Sequence, residues 1–233
     1  MTLPPAPVRP QTELAVGIDV SADVLHVVTI SLRTGTVAST EQVDPADAET
    51  LLRVCGQGIV AIDAPDRPST ALHLGDTALG RKFRSARCAE IQLGRQFRYW
   101  VPWVTPPADE PVAGWMAAGF SAWEVLRGHG FDPLEVYPYA IFRALAGGRS
   151  IPKKTTAAGR RERWRILGAE MTLPPFHAAW GHDAVDALAA ALVARHHHDG
   201  QARGVRCTAD GHSDGSVIWL PAERRNGPVQ PAE

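Results

Sequence analysis

Cysteine is scarce in this chain. Cys55, Cys88 and Cys207 are the only three, they are odd in number, and they stand far apart. No CxxC pair and no Cys/His zinc spacing occurs, so neither a disulfide framework nor a structural zinc is indicated. Long apolar runs are missing too, and none reaches the ~20 residues of a membrane span. The opening residues hold Pro4, Pro5, Pro7 and Pro10 but no apolar stretch of the signal-peptide kind. A reducing, cytoplasmic setting is therefore expected. Charge of one sign is also lacking. With 24 Lys and Arg against 25 Asp and Glu, the net charge is -1, and no overall field marks a nucleic-acid partner. No internal repeat is visible.

What is present supports one substantial core. The chain has 233 residues, 45% of them hydrophobic, which suits a single domain with tails. The expected division is a disordered lead over residues 1–13, a domain over 14–198, and a tail over 199–233 with one added strand near 216–220. Basic residues gather in two stretches. The first comprises Arg81, Lys82, Arg84, Arg87, Arg95 and Arg98. The second comprises Arg149, Lys153, Lys154, Arg160, Arg161, Arg163 and Arg165. Either alone would read as a solvated helix face; two beside an acidic pocket would be harder to set aside.

The apolar patterning predicts an α/β domain. Residues 14–20 read as a buried strand carrying Asp19 near its end. Residues 24–31 and 36–40 continue it as an antiparallel meander, with a turn at Arg33-Thr34-Gly35. Asp44-Pro45 starts a helix running to about Cys55. Residues 59–63 form a further strand ending in Asp63. The intervening helix argues for parallel pairing with the first strand. Asp19 and Asp63 would then emerge together at the carboxyl ends of neighbouring strands, where open α/β sheets bind ligands. Each Asp alone is equally a strand-ending turn residue.

A partly helical basic segment follows at 81–98, then a Trp/Pro loop at 99–111. That loop reads either as a stacking platform or lid, or as a cover folded over the core by its own tryptophans. Helices are expected at 112–127, 138–145 and 156–167. A short strand at 134–138 carries Glu135, a third candidate acid. The final helix, from Gly181 to about His196, bears Asp183 and Asp186 within an apolar run. At i and i+3 they share a face. A carboxylate turned toward a core is costly unless something such as a metal ion pairs with it. The competing reading makes Asp183 a helix cap and leaves Asp186 solvated. The triplet His196-His197-His198 is read as fraying into solvent rather than binding metal.

Three antiparallel strands, a helix, a strand ending in Asp, more helix, another acid-bearing strand and a last helix with two Asp follow the order of the RNase H-like fold. Its chemistry needs two divalent cations roughly 4 Å apart, clamping the attacking water and the leaving oxygen of a phosphodiester. Magnesium and manganese take hard oxygen ligands of the kind these acids supply.

The segments Gly17-Ile18-Asp19, Ala61-Ile62-Asp63-Ala64-Pro65, Arg87-Cys88-Ala89-Glu90, Glu135-Val136-Tyr137-Pro138, Lys153-Lys154-Thr155, Gly159-Arg160 with Arg163, and Asp183 to Asp186-Ala187 together resemble the domain-of-unknown-function family numbered 429. That family is described as predicted nucleases of RNase H-like fold. The resemblance spans about residues 14–194, and the last segment is also similar to the final helix of RuvC-type Holliday-junction resolvases. It implies a mixed five-stranded sheet with helices on both faces. It further implies that Asp19, Asp63, Asp183 and Asp186 ligate Mg²⁺ or Mn²⁺. Glu135 joins these four in the candidate catalytic set through the family pattern alone. Asp66-Arg67 and His182 depart from that pattern.

The leading expectation is a metal-dependent nuclease acting on DNA or RNA, with Arg87, Lys153, Lys154, Arg160 and Arg163 holding phosphates or orienting the acids. Resolvases of the similar type work as dimers, so a homodimer is possible, although nothing in the sequence identifies its face. Two other classes stay open. An actin-like phosphotransferase would need Gly/Thr-rich phosphate loops, and Gly17-Ile18-Asp19-Val20-Ser21 lacks the following Gly-Thr pair. A non-catalytic binding module would pair the acids with Arg87, Arg160 or Lys153 as a buried ion network.

Overall fold

A computed structural model describes residues 13–176, 180–207 and 213–222. The lead expected at 1–13 lies outside the described residues except for Glu13. Strands β1 (Leu14–Val20), β2 (Leu25–Ser31) and β3 (Val37–Val43) form the antiparallel meander. Helix α1 (Ala48–Cys55) leads to β4 (Ile59–Asp63), which lies parallel beside β1. After a 3-10 turn at Arg81–Ser85 come α2 (Cys88–Phe97) and α3 (Gly114–Gly128). Then follow the short β5 (Leu134–Glu135), α4 (Pro138–Leu145), α5 (Ala157–Gly168) and α6 (His182–His198). The sheet order is β3-β2-β1-β4-β5, with β5 parallel to β4. This is the mixed five-stranded RNase H-like sheet.

Side-chain alternation splits β1 and β4 into two faces. Val16, Ile18, Val60 and Ile62 pack with Leu51, Val54, Ala122, Trp123 and Leu126 of α1 and α3. Ala15 and Ala61 face the other way, into a larger cluster built on α6 and α4. Asp19 and Asp63 share the parity of Ala15 and Ala61, so they belong to the α6 side. Helix α6 lies directly on β1. At Gly17 even one added carbon would collide with the Ala187 carbonyl and the Ala191 amide. The small residues Ala187, Ala190, Ala191 and Ala194 permit this approach. Across the sheet, a carbon added at Gly119 would stand 2.5 Å from the Ala64 Cβ, which brings α3 against the exit of β4.

Three expectations need correction. Helix α1 begins at Ala48 rather than at Asp44-Pro45. Asp44 instead accepts the Ala46 N–H at 2.8 Å in a turn, and Asp47 caps the helix by accepting the Thr50 N–H at 3.0 Å. The stretch expected as a tail supplies a hairpin of β6 (Ala202–Val205) and β7 (Ile218–Pro221), the latter overlapping the strand expected at 216–220. Val205, Ile218 and Leu220 are buried against the main core, and Val136 bridges to Trp219. The histidine triplet stays helical, with His197 edge-on to Trp219 at 4.6 Å. No described helix is long and apolar enough to cross a membrane.

Candidate acidic site

Strand pairing sets the first two acids side by side. Asp19 and Asp63 are direct partners in the parallel β1/β4 register, which sets their carboxyl groups close enough to influence each other's titration. Helix α6 closes on them from above. Asp186, 3% exposed, is close enough that its charge acts on both. Burial raises the carboxyls of all three, and repulsion from neighbouring acids adds to it. Asp63 moves up to about 8, with Asp186 as the main repelling charge. Asp19 is raised well above the carboxylate range by burial and then by Asp63 and Asp186. Asp186 is raised chiefly by burial, against the pull of Lys154. Asp183, one turn back on the same helix, is half-exposed and faces two imidazoles. His26 Nε2 lies 3.8 Å from it, and His182 Nδ1 touches its Oδ1.

The counter-charge inside the cluster is Lys154, whose Nζ donates to Asp186 Oδ2 at 2.5 Å. Burial works against the ammonium, yet Asp186, Asp19 and Asp63 hold its proton above the usual lysine range. The lysine sits on a strap between α4 and α5, and residues of α5 hold that strap. Arg163 Nη1 donates to the Pro152 carbonyl at 2.7 Å and to Gly159 O at 3.1 Å. A carbon added at Gly159 would collide with the Lys153 carbonyl. Thr156 caps α5 by accepting the Gly159 N–H, while its hydroxyl donates to Lys153 O. The Lys153-Lys154-Thr155 and Gly159 to Arg163 segments therefore form one mechanical unit that aims Lys154 at the acids.

A second ion cluster lies behind β4. Arg87, 1% exposed, donates through Nη1 and Nη2 to the two oxygens of Glu135 at 2.7 and 2.5 Å, through Nε to Glu90 at 3.1 Å, and through Nη1 to Asp66 at 3.2 Å. The Asp66 N–H also reaches Glu135 Oε2, and Thr105 donates to Glu90 through its amide and hydroxyl. Arg67 and Arg127 close the far side on Asp66 Oδ2. Burial lifts Glu135 up to about 7 despite Arg87.

These contacts reassign several expected site residues. Glu135 shares a cavity lining with Asp63 and its charge acts on it, but both its oxygens are engaged by Arg87 and one of them also by the Asp66 amide. Arg87 and Arg163 are interior structural groups and cannot reach a phosphate in solution. Lys154 spends its ammonium on Asp186, although 41% of its side chain stays exposed. Lys153 is exposed, and half-exposed Arg160 donates to the Thr155 carbonyl. The Trp/Pro loop is folded down in part, with Trp100 against Phe83 at 4.6 Å. Trp103 keeps 37% of its surface exposed and meets Trp115 and Tyr137 edge-on at 5.0 and 5.9 Å. Sequence reading missed Tyr137, whose hydroxyl titration is lifted by burial and then by Asp63. It also missed Glu90 and Asp66, although the i,i+3 spacing of Arg87 and Glu90 was a visible signal.

The donor chemistry of the aspartates fits a hard divalent cation. Asp186 Oδ1 is buried without a hydrogen-bond partner, which is costly for a carboxylate oxygen. Among the described residues, no three of the four aspartates bring an oxygen each within 4.8 Å of one another. They therefore do not form one closed cage. Ions that retain several waters and take one or two carboxylates each suit that spacing.

Fold and site together define the class: an RNase H-like domain with acids gathered where β1 and β4 end, roofed by a long helix. The model of the family described as "Protein of unknown function (DUF429)" matches residues 124–210, which include Lys154 and both aspartates of α6. Among solved structures, the chain is similar to T. thermophilus RuvC in complex with Holliday junction substrate, at 15% identity and a TM-score of 0.41. It is also similar to Thermus thermophilus RuvC determined separately, at 14% identity and a TM-score of 0.40. Each alignment covers 80% of this chain and 96% of the other. No curated protein matches the chain.

Proposed function

We propose that the protein is a metal-dependent nuclease that hydrolyses phosphodiester bonds at the Asp19–Asp63–Asp186 cluster, with Asp183 at its rim. The observation that carries the reading is Asp186: a buried carboxylate with one oxygen unpartnered, held over two acids that face each other at adjacent strand ends. Bound Mg²⁺ or Mn²⁺ would activate water and neutralise charge on the leaving oxygen. Asp19, Asp63 and Asp186 would hold the ions, and Asp183 would complete the set from the next turn. Lys154 would orient Asp186 and balance the acids' charge. Exposed Lys153 and Arg160 would contact phosphates without reading sequence. Trp103 offers a partly open ring on which an unstacked base could rest.

Cleavage of branched, single-stranded and hybrid substrates with Mn²⁺ tests the reading. Wild type should cut at least one class, and Asp63→Asn should lose activity by about two orders of magnitude or more, the scale of removing a preorganised charge-stabilising group. Equal activity in the two proteins would exclude the site. The Lys154–Asp186 pair favours one competing reading, a non-catalytic module in which lysine alone balances the acids. Millimolar Mn²⁺ should raise the melting temperature if the nuclease reading holds, and leave it unchanged if the lysine suffices.

A further inference from the structure

Two of the three cysteines, remote from each other in sequence, meet in the folded chain. Cys88 opens α2, Cys207 follows β6, and His73 comes from the loop between β4 and the 3-10 turn. His73 Nε2 lies 3.2 Å from Cys88 Sγ. The imidazole nitrogen and both sulfurs lie within 4.8 Å of one another, the one such trio among the described residues. Both thiols are buried, and His73 is half-buried. Gln92 Nε2 donates toward Cys207 Sγ at 3.8 Å, and the Cys88 amide donates to Asp214 Oδ2 at 2.8 Å.

We propose that His73, Cys88 and Cys207 form a zinc site that ties the loop after β4 to the start of α2 and to the β6/β7 hairpin. Zn–S bonds of about 2.3 Å and Zn–N bonds of about 2.0 Å place tetrahedral donors roughly 3.3–3.8 Å apart. One pair stands at 3.2 Å and all three atoms lie within 4.8 Å of one another, so closure needs side-chain shifts of about 1 Å or less. Two sulfurs and an imidazole select a thiophilic ion over magnesium or manganese. The fourth position falls to water, since both oxygens of the neighbouring Asp214 accept hydrogen bonds from Cys88 and Ser216. Gln92 supplies the donor to a ligating sulfur that such sites commonly carry around them.

The alternative uses of these thiols fit less well. A nucleophilic cysteine needs access to its substrate, and both thiols are buried. A Cys88–Cys207 disulfide would leave the imidazole against Cys88 without a role. A zinc ion accounts for all three groups at once. It would also fix the residue after Arg87, the guanidinium that holds Glu135 on the strand next to Asp63. The site stands apart from the aspartates and does not depend on their being catalytic.

The full chain, stripped of metal with chelator and kept reduced, can be titrated with Co²⁺ as a spectroscopic probe. Near-ultraviolet sulfur-to-cobalt absorption should saturate at one equivalent and be displaced by Zn²⁺. It should persist in Cys55→Ala, whose thiol lies in the opposite core, and in Asp63→Asn. It should vanish in Cys207→Ser, and His73→Ala should weaken Co²⁺ binding by about tenfold or more. Should Cys207→Ser fail to fold, the wild-type spectrum and His73→Ala still decide. Absence of sulfur-to-cobalt absorption in wild type would overturn the site, as would a spectrum unaffected by His73→Ala or abolished by Cys55→Ala.

Discussion

Asp63 is a residue whose proton the fold retains. Its ordinary carboxyl titrates near 4, yet burial and Asp186 move it up to about 8 in the folded chain. Between those values the unfolded chain has released a proton that the native state keeps. Metal-free stability therefore falls as pH rises through this window and levels off above it. Asp63→Asn removes that dependence. Without metal it should stabilise the protein by about 1–3 kcal/mol at pH 8, a figure reduced from the nominal shift because Asp63 is partly exposed and shares its titration with Asp19 and Asp186. The gain should disappear by pH 4, and urea unfolding at the two pH values reads it. These acids were legible in sequence because strand ends and i,i+3 spacing show in one dimension. The role of Arg87 was legible only as one of two readings, a phosphate contact or a partner in a buried ion network, until the fold brings it to Glu135, 48 residues away. Lys154 was hidden for the same reason: its direction is set by Arg163 and Gly159 on the following helix.

At the scale of elements, the contact between α6 and β1 sets the site's height. Ridge-and-groove packing normally keeps a helix well clear of what it covers, at a spacing set by the side chains in contact. Gly17 and the alanines of α6 shorten that spacing until backbones touch. Gly17→Ala would force backbone rather than a flexible side chain to move, so it should cost about 3 kcal/mol, the upper end for overpacking. Because Asp186 rides on α6, the same substitution should also remove most of any Mn²⁺-induced rise in melting temperature. Retention of that rise in a folded Gly17→Ala protein would separate Asp186 from the metal. The helices at 138–145 and 156–167 were readable from their starts, Pro138 at a first position and Thr156 as a cap. Helix α1 was misread because Asp44-Pro45 and Asp47 offer two starts in tandem, and Asp44 spends its side chain on a turn.

The whole molecule is larger than its readable core. Residues 199–233 are rich in Gly and polar groups, so only short alternation marks β6 and β7. Two-stranded ribbons are marginal alone and persist when they pack on something else. Here Ile218 and Leu220 fill the cluster of α6, α4 and β5. Leu220→Ala should therefore cost about 2–5 kcal/mol, as expected of a core leucine rather than a tail residue, measurable by chemical denaturation. The meeting of His73, Cys88 and Cys207 belongs to this scale as well. Three distant segments converge, and no local spacing announces them.

The register that sets Asp19 opposite Asp63 has a further consequence. Both residues sit in the two central strands of the sheet, whose amide ladders open last in a cooperative domain. No hinge or loop motion separates the pair while the sheet stands. Their spacing is as durable as the native state itself, and any adjustment to accommodate a guest must come from the roof and the strap, not from the floor.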